Sequence, residues 1–142
     1  MSIMNEANSL HGGCLCGAVR YAVSGPAVKT TTCHCSDCRR ASGAPFVAWT
    51  FFRTGALSWT KGTPKVLEFA DRERSFCAGC GTPLKFYDPA IPEWFEMNTC
   101  TFDQPETHTP ADECWTEDRI SWANSATGIP AHDRDAPLPG AL

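Results

Sequence analysis

The sequence predicts a mostly β fold, and three observations carry that prediction. Turn residues are dense, with eleven Gly and eleven Pro spread along 142 residues. The segments between them are short, and they are rich in β-branched and aromatic residues, which favour pleated strands. Ala18 to Ser24 alternates and sets Val19, Tyr21 and Val23 on one face. Phe46 to Phe52 is a compact apolar run, and Val66 to Phe69, Pro83 to Tyr87 and Trp94 to Thr99 are further candidate strands. Helix is scarce: Asp37 to Ser42 predicts a single turn, and Ala111 to Ile120 a short helix.

A chain of 142 residues is one ordinary domain, able to bury roughly two-thirds of the surface its unfolded form exposes. Eight Phe, five Trp and two Tyr must fill most of that interior. We expect a domain over 10–130, an N-terminal tail over 1–9, and a C-terminal tail over 131–142. Pro130 to Leu142 carries little apolar bulk and reads as loosely attached. No stretch approaches the ~20 apolar residues that cross a bilayer, and Met1 to Leu10 lacks a signal pattern, so a cytoplasmic protein with no membrane partner is expected. Thiols stay reduced in that compartment, and an odd count of nine cysteines pairs poorly.

Seven of those nine fall into three clusters: Cys14 and Cys16 in CLCG, Cys33, Cys35 and Cys38 in CHCSDC, and Cys77 and Cys80 in CAGCG. This is the spacing of thiolate metal ligands, with softness that favours zinc. Two residues apart on an extended strand, Cys14 and Cys16 share a face, and Gly17 then lets the chain turn away. Cys77 and Cys80 converge through a tight loop whose Gly81 can take a positive φ. The two pairs together make a closed tetrahedral set of structural character, while Cys33, Cys35 and Cys38 supply three ligands and leave a fourth position for water or substrate. Cys100 or Cys114 remain alternatives that would close the second set, and a redox dithiol remains one for each CxxC pair. His34 is expected to pack or hydrogen-bond, not to ligate. Trp49, Phe51, Phe52, Trp94, Phe95, Trp115 and Trp122 fill the core or line a pocket over the three-sulfur set.

The formal charge is −4, and seven thiolates with two Zn²⁺ would carry it to about −7. Such a surface argues against nucleic-acid binding, which relies on Lys and Arg neutralising phosphates. Arg39 and Arg40, beside the three-sulfur cluster, either offset its charge, receive an anionic substrate or stay solvated.

With GGCLCGAVRY, TCHCSDCRRASGAPF and FCAGCGTPL in this order, the chain resembles the family that joins glutathione-dependent formaldehyde-activating enzymes to centromere protein V, over roughly Leu10 to Ile129. The resemblance implies an all-β fold of small twisted antiparallel sheets of the Mss4-like, β-tent kind, braced by two zinc ions. It implies a structural zinc on Cys14, Cys16, Cys77 and Cys80 and a catalytic zinc on Cys33, Cys35 and Cys38. The activity it implies is carbon–sulfur lyase chemistry on the adduct of an aldehyde with a small thiol such as glutathione. The motif CHCSDCRR is closer to the broad family branch than to the formaldehyde enzyme itself, and Cys100 stands where that family has Gly. Arg39 or Arg40 would then grip a carboxylate of the thiol. The rival readings are a non-catalytic zinc-braced binding module and a redox-responsive zinc–thiolate protein. Whether two chains pair as a homodimer is open.

Overall fold

The computed structural model describes residues 9–124 and 128–140. Among these residues it is mainly β, with ten strands in two sheets and one α-helix. A small sheet is formed by β1 (Leu10–Gly13), β2 (Arg20–Val23) and β5 (Leu57–Lys61) in the order β1-β2-β5. The large one contains β3 (Lys29–Cys33), β4 (Val47–Arg53), β6 (Lys65–Phe69), β7 (Arg72–Phe76), β8 (Pro83–Tyr87), β9 (Trp94–Asn98) and β10 (Asp112–Cys114). Its order is β10-β3-β4-β9-β8-β7-β6. Every pair in it is antiparallel except β10 with β3, which run parallel with Cys114 opposite Cys33. The sheets are therefore not all antiparallel, and the exception lies under the three-sulfur cluster.

Strand alternation divides the large sheet into two faces. Phe52, Phe95 and Met97 turn toward the small sheet and pack with Val19, Tyr21, Val23 and Leu84 in the main core. Phe52 and Phe95 stack there with centroids 5.6 Å apart. On the opposite face Cys33, Val47 and Trp49 form a second cluster with Cys38 and Cys114, flanked by Cys35, Phe86, Trp115 and Ala136. Val19, just before β2, and Tyr21 and Val23 within it pack together in the main core as their alternation predicts, while Ala22 between them is also buried. Burial of such side chains contributes about 1.5–3 kcal/mol each, so two aromatic-filled layers suffice for a domain of this size.

Helix α1 (Ser36–Ser42) follows β3 as expected and stops at Gly43, whose φ of 71° suits glycine. The helix expected from Ala111 to Ile120 is instead β10 followed by a 3-10 turn at Thr116–Asp118. Its backbone is claimed by β3 on one side, and Asp112 and Glu113 are buried against Lys29 and His34, so tertiary pairing overrides local propensity. Where it is described, the C-terminal stretch is mostly exposed and carries hydrogen bonds to β3 and to β10 and the residue after it. Glu113 N–H donates to Pro130 O at 2.9 Å, Trp115 N–H to Arg134 O at 2.7 Å, and Lys29 Nζ to Pro137 O at 2.7 Å. Backbone bonding along β10 holds this segment where apolar bulk is lacking. The expected N-terminal tail lies outside the described residues except for residue 9, as do the last two residues of the C-terminal one. Among the described residues no helix is long and apolar enough to cross a membrane.

Candidate metal centres

Cys14, Cys16, Cys77 and Cys80 come together although 61 residues separate the inner two in sequence, and their four Sγ atoms all lie within 4.8 Å of one another. Cys14 and Cys16 do not share an extended strand. β1 ends at Gly13, and Cys14 to Ala18 form a turn closed by Gly17 N–H on Cys14 O at 3.2 Å. Gly17 has φ 79°, and Leu15 in the same turn is exposed. Cys14 N–H donates to Val19 O at 3.0 Å, so the turn is tied to the start of β2 at its base. On the other side Gly81 N–H bonds Cys77 O at 2.7 Å, and Gly81 has the positive φ expected of it, 80°.

The spacings test the fit to zinc. Zn–S bonds of ~2.3 Å at tetrahedral angles put sulfurs ~3.8 Å apart, and Cys14–Cys16 and Cys16–Cys77 are 3.6 and 3.8 Å apart. A disulfide would need about 2.05 Å, and all nine cysteines are free. Thr82 reinforces the arrangement: its hydroxyl and backbone N–H hold the Cys80 thiol down to about 5. Four sulfurs at these distances fit a closed tetrahedral ion.

The second set is Cys33, Cys35 and Cys38, whose sulfurs also lie within 4.8 Å of one another. Cys33 ends β3, Cys35 caps α1 with its Sγ accepting from Cys38 N–H at 3.2 Å, and Cys38 turns inward from the helix. The thiols contend for protons. Cys33 is pushed up first by its contact with Cys114, then by Cys35 and Cys38, whereas Cys35 is held far down by Cys33 and then Cys38. Crowded sulfurs of opposite tendency are the donor set whose conflict a soft cation relieves. Cys114 touches Cys33 across the parallel strand pair and packs in the same cluster, but it is not among the three mutually close sulfurs. Cys100 sits exposed in a 3-10 turn after β9. Neither of these two is grouped with the trio, which offers three protein ligands.

Two supports of the trio were not legible in sequence. His34 points away from the sulfurs, as expected, and is fully buried with Nε2 2.8 Å from Glu113 Oε1. Arg74 of β7 places Nη2 3.9 Å from Cys38 Sγ and lays its guanidinium 4.8 Å over the ring of Phe86. Its signal was only a charged residue three before Cys77, with nothing to show which face it takes. Arg39 is half-buried and Arg40 exposed on α1, and neither side chain makes a hydrogen bond or ion pair among the described residues. Of the aromatic residues, Phe52 and Phe95 belong to the main core, Trp49 and Trp115 wall the trio, Phe51 and Trp94 meet edge to face at 6.3 Å, and Trp122 is exposed.

The chain is similar to several known proteins. The chain is 33% identical over 75 residues to an uncharacterised lyase of Schizosaccharomyces pombe, a match covering 53% of this chain and 55% of that protein. It is 30% identical over 93 residues to a Halomonas elongata protein provisionally named a glutathione-dependent formaldehyde-activating enzyme, covering 59% of each. The matches thus span little more than half the length of these curated relatives. A crystal structure of a Rhodobacter sphaeroides protein shares the fold, with TM-score 0.56 and 22% identity over 86% of this chain and 98% of that one. Residues 9–118, which contain both cysteine sets and β1 to β10, match the profile of the glutathione-dependent formaldehyde-activating enzyme, and the chain belongs to that family.

Proposed function

We propose that the protein is a zinc-dependent carbon–sulfur lyase acting on the adduct of a small carboxylated thiol, of the glutathione kind, with an aldehyde. The observation that carries this reading is the three-sulfur set, its Sγ atoms within 4.8 Å of one another, with Cys100 and Cys114 outside it. Cys14, Cys16, Cys77 and Cys80 would hold a structural zinc, and Cys33, Cys35 and Cys38 a catalytic one. Zinc bound by three thiolates supplies Lewis acidity that favours the ionised form of a thiol, in the forward direction as nucleophile and in reverse as leaving group.

The chain's own residues supply the rest. Cys33 is fixed by β3, whose neighbours are β4 and β10, and Cys38 by α1, so the donor atoms are set on rigid elements before substrate arrives. Val47, Trp49, Phe86 and Trp115 flank the trio with apolar surface and keep water from one side of it. Charge building on a departing sulfur meets the guanidinium of Arg74 on β7, 3.9 Å from Cys38 Sγ, while Arg39 and Arg40 lie half-buried and exposed on α1. Family membership and the names of its relatives support a lyase-type reaction with glutathione. The non-catalytic module and the redox reading have no comparable structural observation in their favour.

The test is turnover of several aldehydes with several thiols by zinc-loaded protein, with metal content measured alongside. Two zinc ions per chain and thiol-dependent aldehyde consumption that Cys38→Ser abolishes are expected. Absence of turnover with every thiol tested would overturn the reading.

A further inference from the structure

The lyase reading leaves open what recognises the thiol. A trio of thiolates with one divalent cation carries one negative charge, and a fourth thiolate makes it two. A carboxylated thiol therefore approaches its site against repulsion unless a cation stands beside it. Arg74 stands there. Among the described residues it is the cation in contact with a sulfur of the trio, at 3.9 Å from Cys38 Sγ.

Its setting is that of a prepared donor. Arg74 lies directly opposite Phe86 in the β7–β8 register, and the guanidinium rests 4.8 Å over that ring. Phe86 in turn packs against Trp49 with centroids 5.9 Å apart, and both belong to the wall of the trio. Stacking fixes the plane of the fork, so little rotamer freedom is lost when it binds. One N–H is spent on Cys38, and no carboxylate forms an ion pair with Arg74 among the described residues. The acid on the same face, Glu96, pairs across from Phe86 and is pushed up to about 8 by burial, so it competes weakly for the guanidinium. A second orphan donor lines the same wall: Trp49 Nε1 is buried and has no acceptor among the described residues.

Arg39 and Arg40 are placed less well. Each step along α1 turns about 100°, so with Cys38 facing the sheet, Arg39 leaves sideways and Arg40 toward solvent. Their exposure agrees with that turn.

We propose that Arg74 is the specificity-determining residue of the site, gripping the carboxylate of the incoming thiol with its guanidinium fork. The assignment rests on the lyase reading of the trio. It selects thiols that carry a carboxylate over neutral thiols of the same length.

The experiment uses cobalt-substituted protein and reads binding from the cobalt–thiolate absorption, without turnover. 3-Mercaptopropionate and 2-mercaptoethanol are titrated into wild type, Arg74→Gln, Arg74→Lys and the Arg39→Gln/Arg40→Gln pair. Wild type is expected to prefer mercaptopropionate, and Arg74→Gln to weaken that ligand by roughly tenfold to a hundredfold, the value of a charge-assisted pair. Mercaptoethanol should be little affected. Arg74→Lys keeps the charge without the fork and should retain part of the preference, and the Arg39/Arg40 variant should retain all of it. Preference intact in Arg74→Gln, or lost in the Arg39/Arg40 variant, overturns the assignment while leaving the lyase reading standing. If Arg74→Gln does not hold cobalt at the trio, Arg74→Lys decides: full wild-type preference there refutes the fork. If neither thiol perturbs cobalt in wild type, the lyase reading itself fails and this inference with it.

Discussion

His34 Nε2 and Glu113 Oε1 meet at 2.8 Å with both side chains shut away from solvent, one residue beyond Cys33 and one before Cys114. The pair joins the end of β3 to β10 from the side opposite the sulfurs. Removing the imidazole takes away this buried hydrogen bond, a loss that costs about 1–3 kcal/mol. His34→Ala should therefore lower the urea midpoint of the loaded protein and weaken cadmium binding at the trio. Retained midpoint and affinity would show the pair to be dispensable.

The two sulfur sets should respond oppositely to loss of one ligand. A closed four-sulfur ion is worth about 10–16 kcal/mol, comparable with the roughly 5–15 kcal/mol of a whole domain. Cys80→Ser should abolish cooperative thermal unfolding, whereas Cys38→Ser should stay folded with about one zinc ion fewer per chain. Circular dichroism with metal analysis by mass spectrometry separates the two, and a folded Cys80→Ser would contradict the structural assignment.

Glu96 gives stability a pH slope of definite sign. Its carboxyl is pushed up to about 8, by burial first and then by nearby Cys114. From about pH 4.5, where the unfolded chain releases that proton, to about pH 8, the native state holds it. The unfolded form binds fewer protons in that window, so this group's contribution falls as pH rises and is fully lost above the folded value. Glu96→Gln should flatten the decline in a urea midpoint series, and an unchanged slope would refute the assignment.

Gly62 closes β5 with φ 66°, and a Cβ there would overlap the carbonyl of Ala18, in the turn that carries Cys14 and Cys16. A left-handed Ala costs about 1–2 kcal/mol before any overlap. Gly62→Ala should thus reduce stability by at least about 2 kcal/mol and speed zinc loss to a chelator. The chromogenic chelator rate is the measurement that tells this apart from a purely global effect.

Legibility in the sequence followed locality. The strands at Phe46 to Phe52, Pro83 to Tyr87 and Trp94 to Thr99 announced themselves through their own apolar residues, and β4, β8 and β9 sit there within a residue or so. Strands β3 and β7, KTTTC and RERSF, carry little apolar pattern and are held by their neighbours, so composition could not reveal them. The two pairs and the trio were readable because thiolate spacing is a short-range property, and joining the pairs across 61 residues followed from the need for four ligands, although the Cys14–Cys16 segment turned out to bend. Arg74 and Glu113 were invisible because register, not sequence distance, brings β7 and β10 to the trio. A helix was expected at β10 for the same reason.

The parallel pairing of β10 with β3 has a consequence for synthesis. Cys33 emerges from the ribosome some 80 residues before the strand that walls it, and at ~5–20 residues per second that gap lasts several seconds. Throughout that interval the nascent CHCSDC segment is open to oxidants and to any passing soft metal. The order of translation thus leaves the thiols of Cys33, Cys35 and Cys38 unsheltered until β10 has been made.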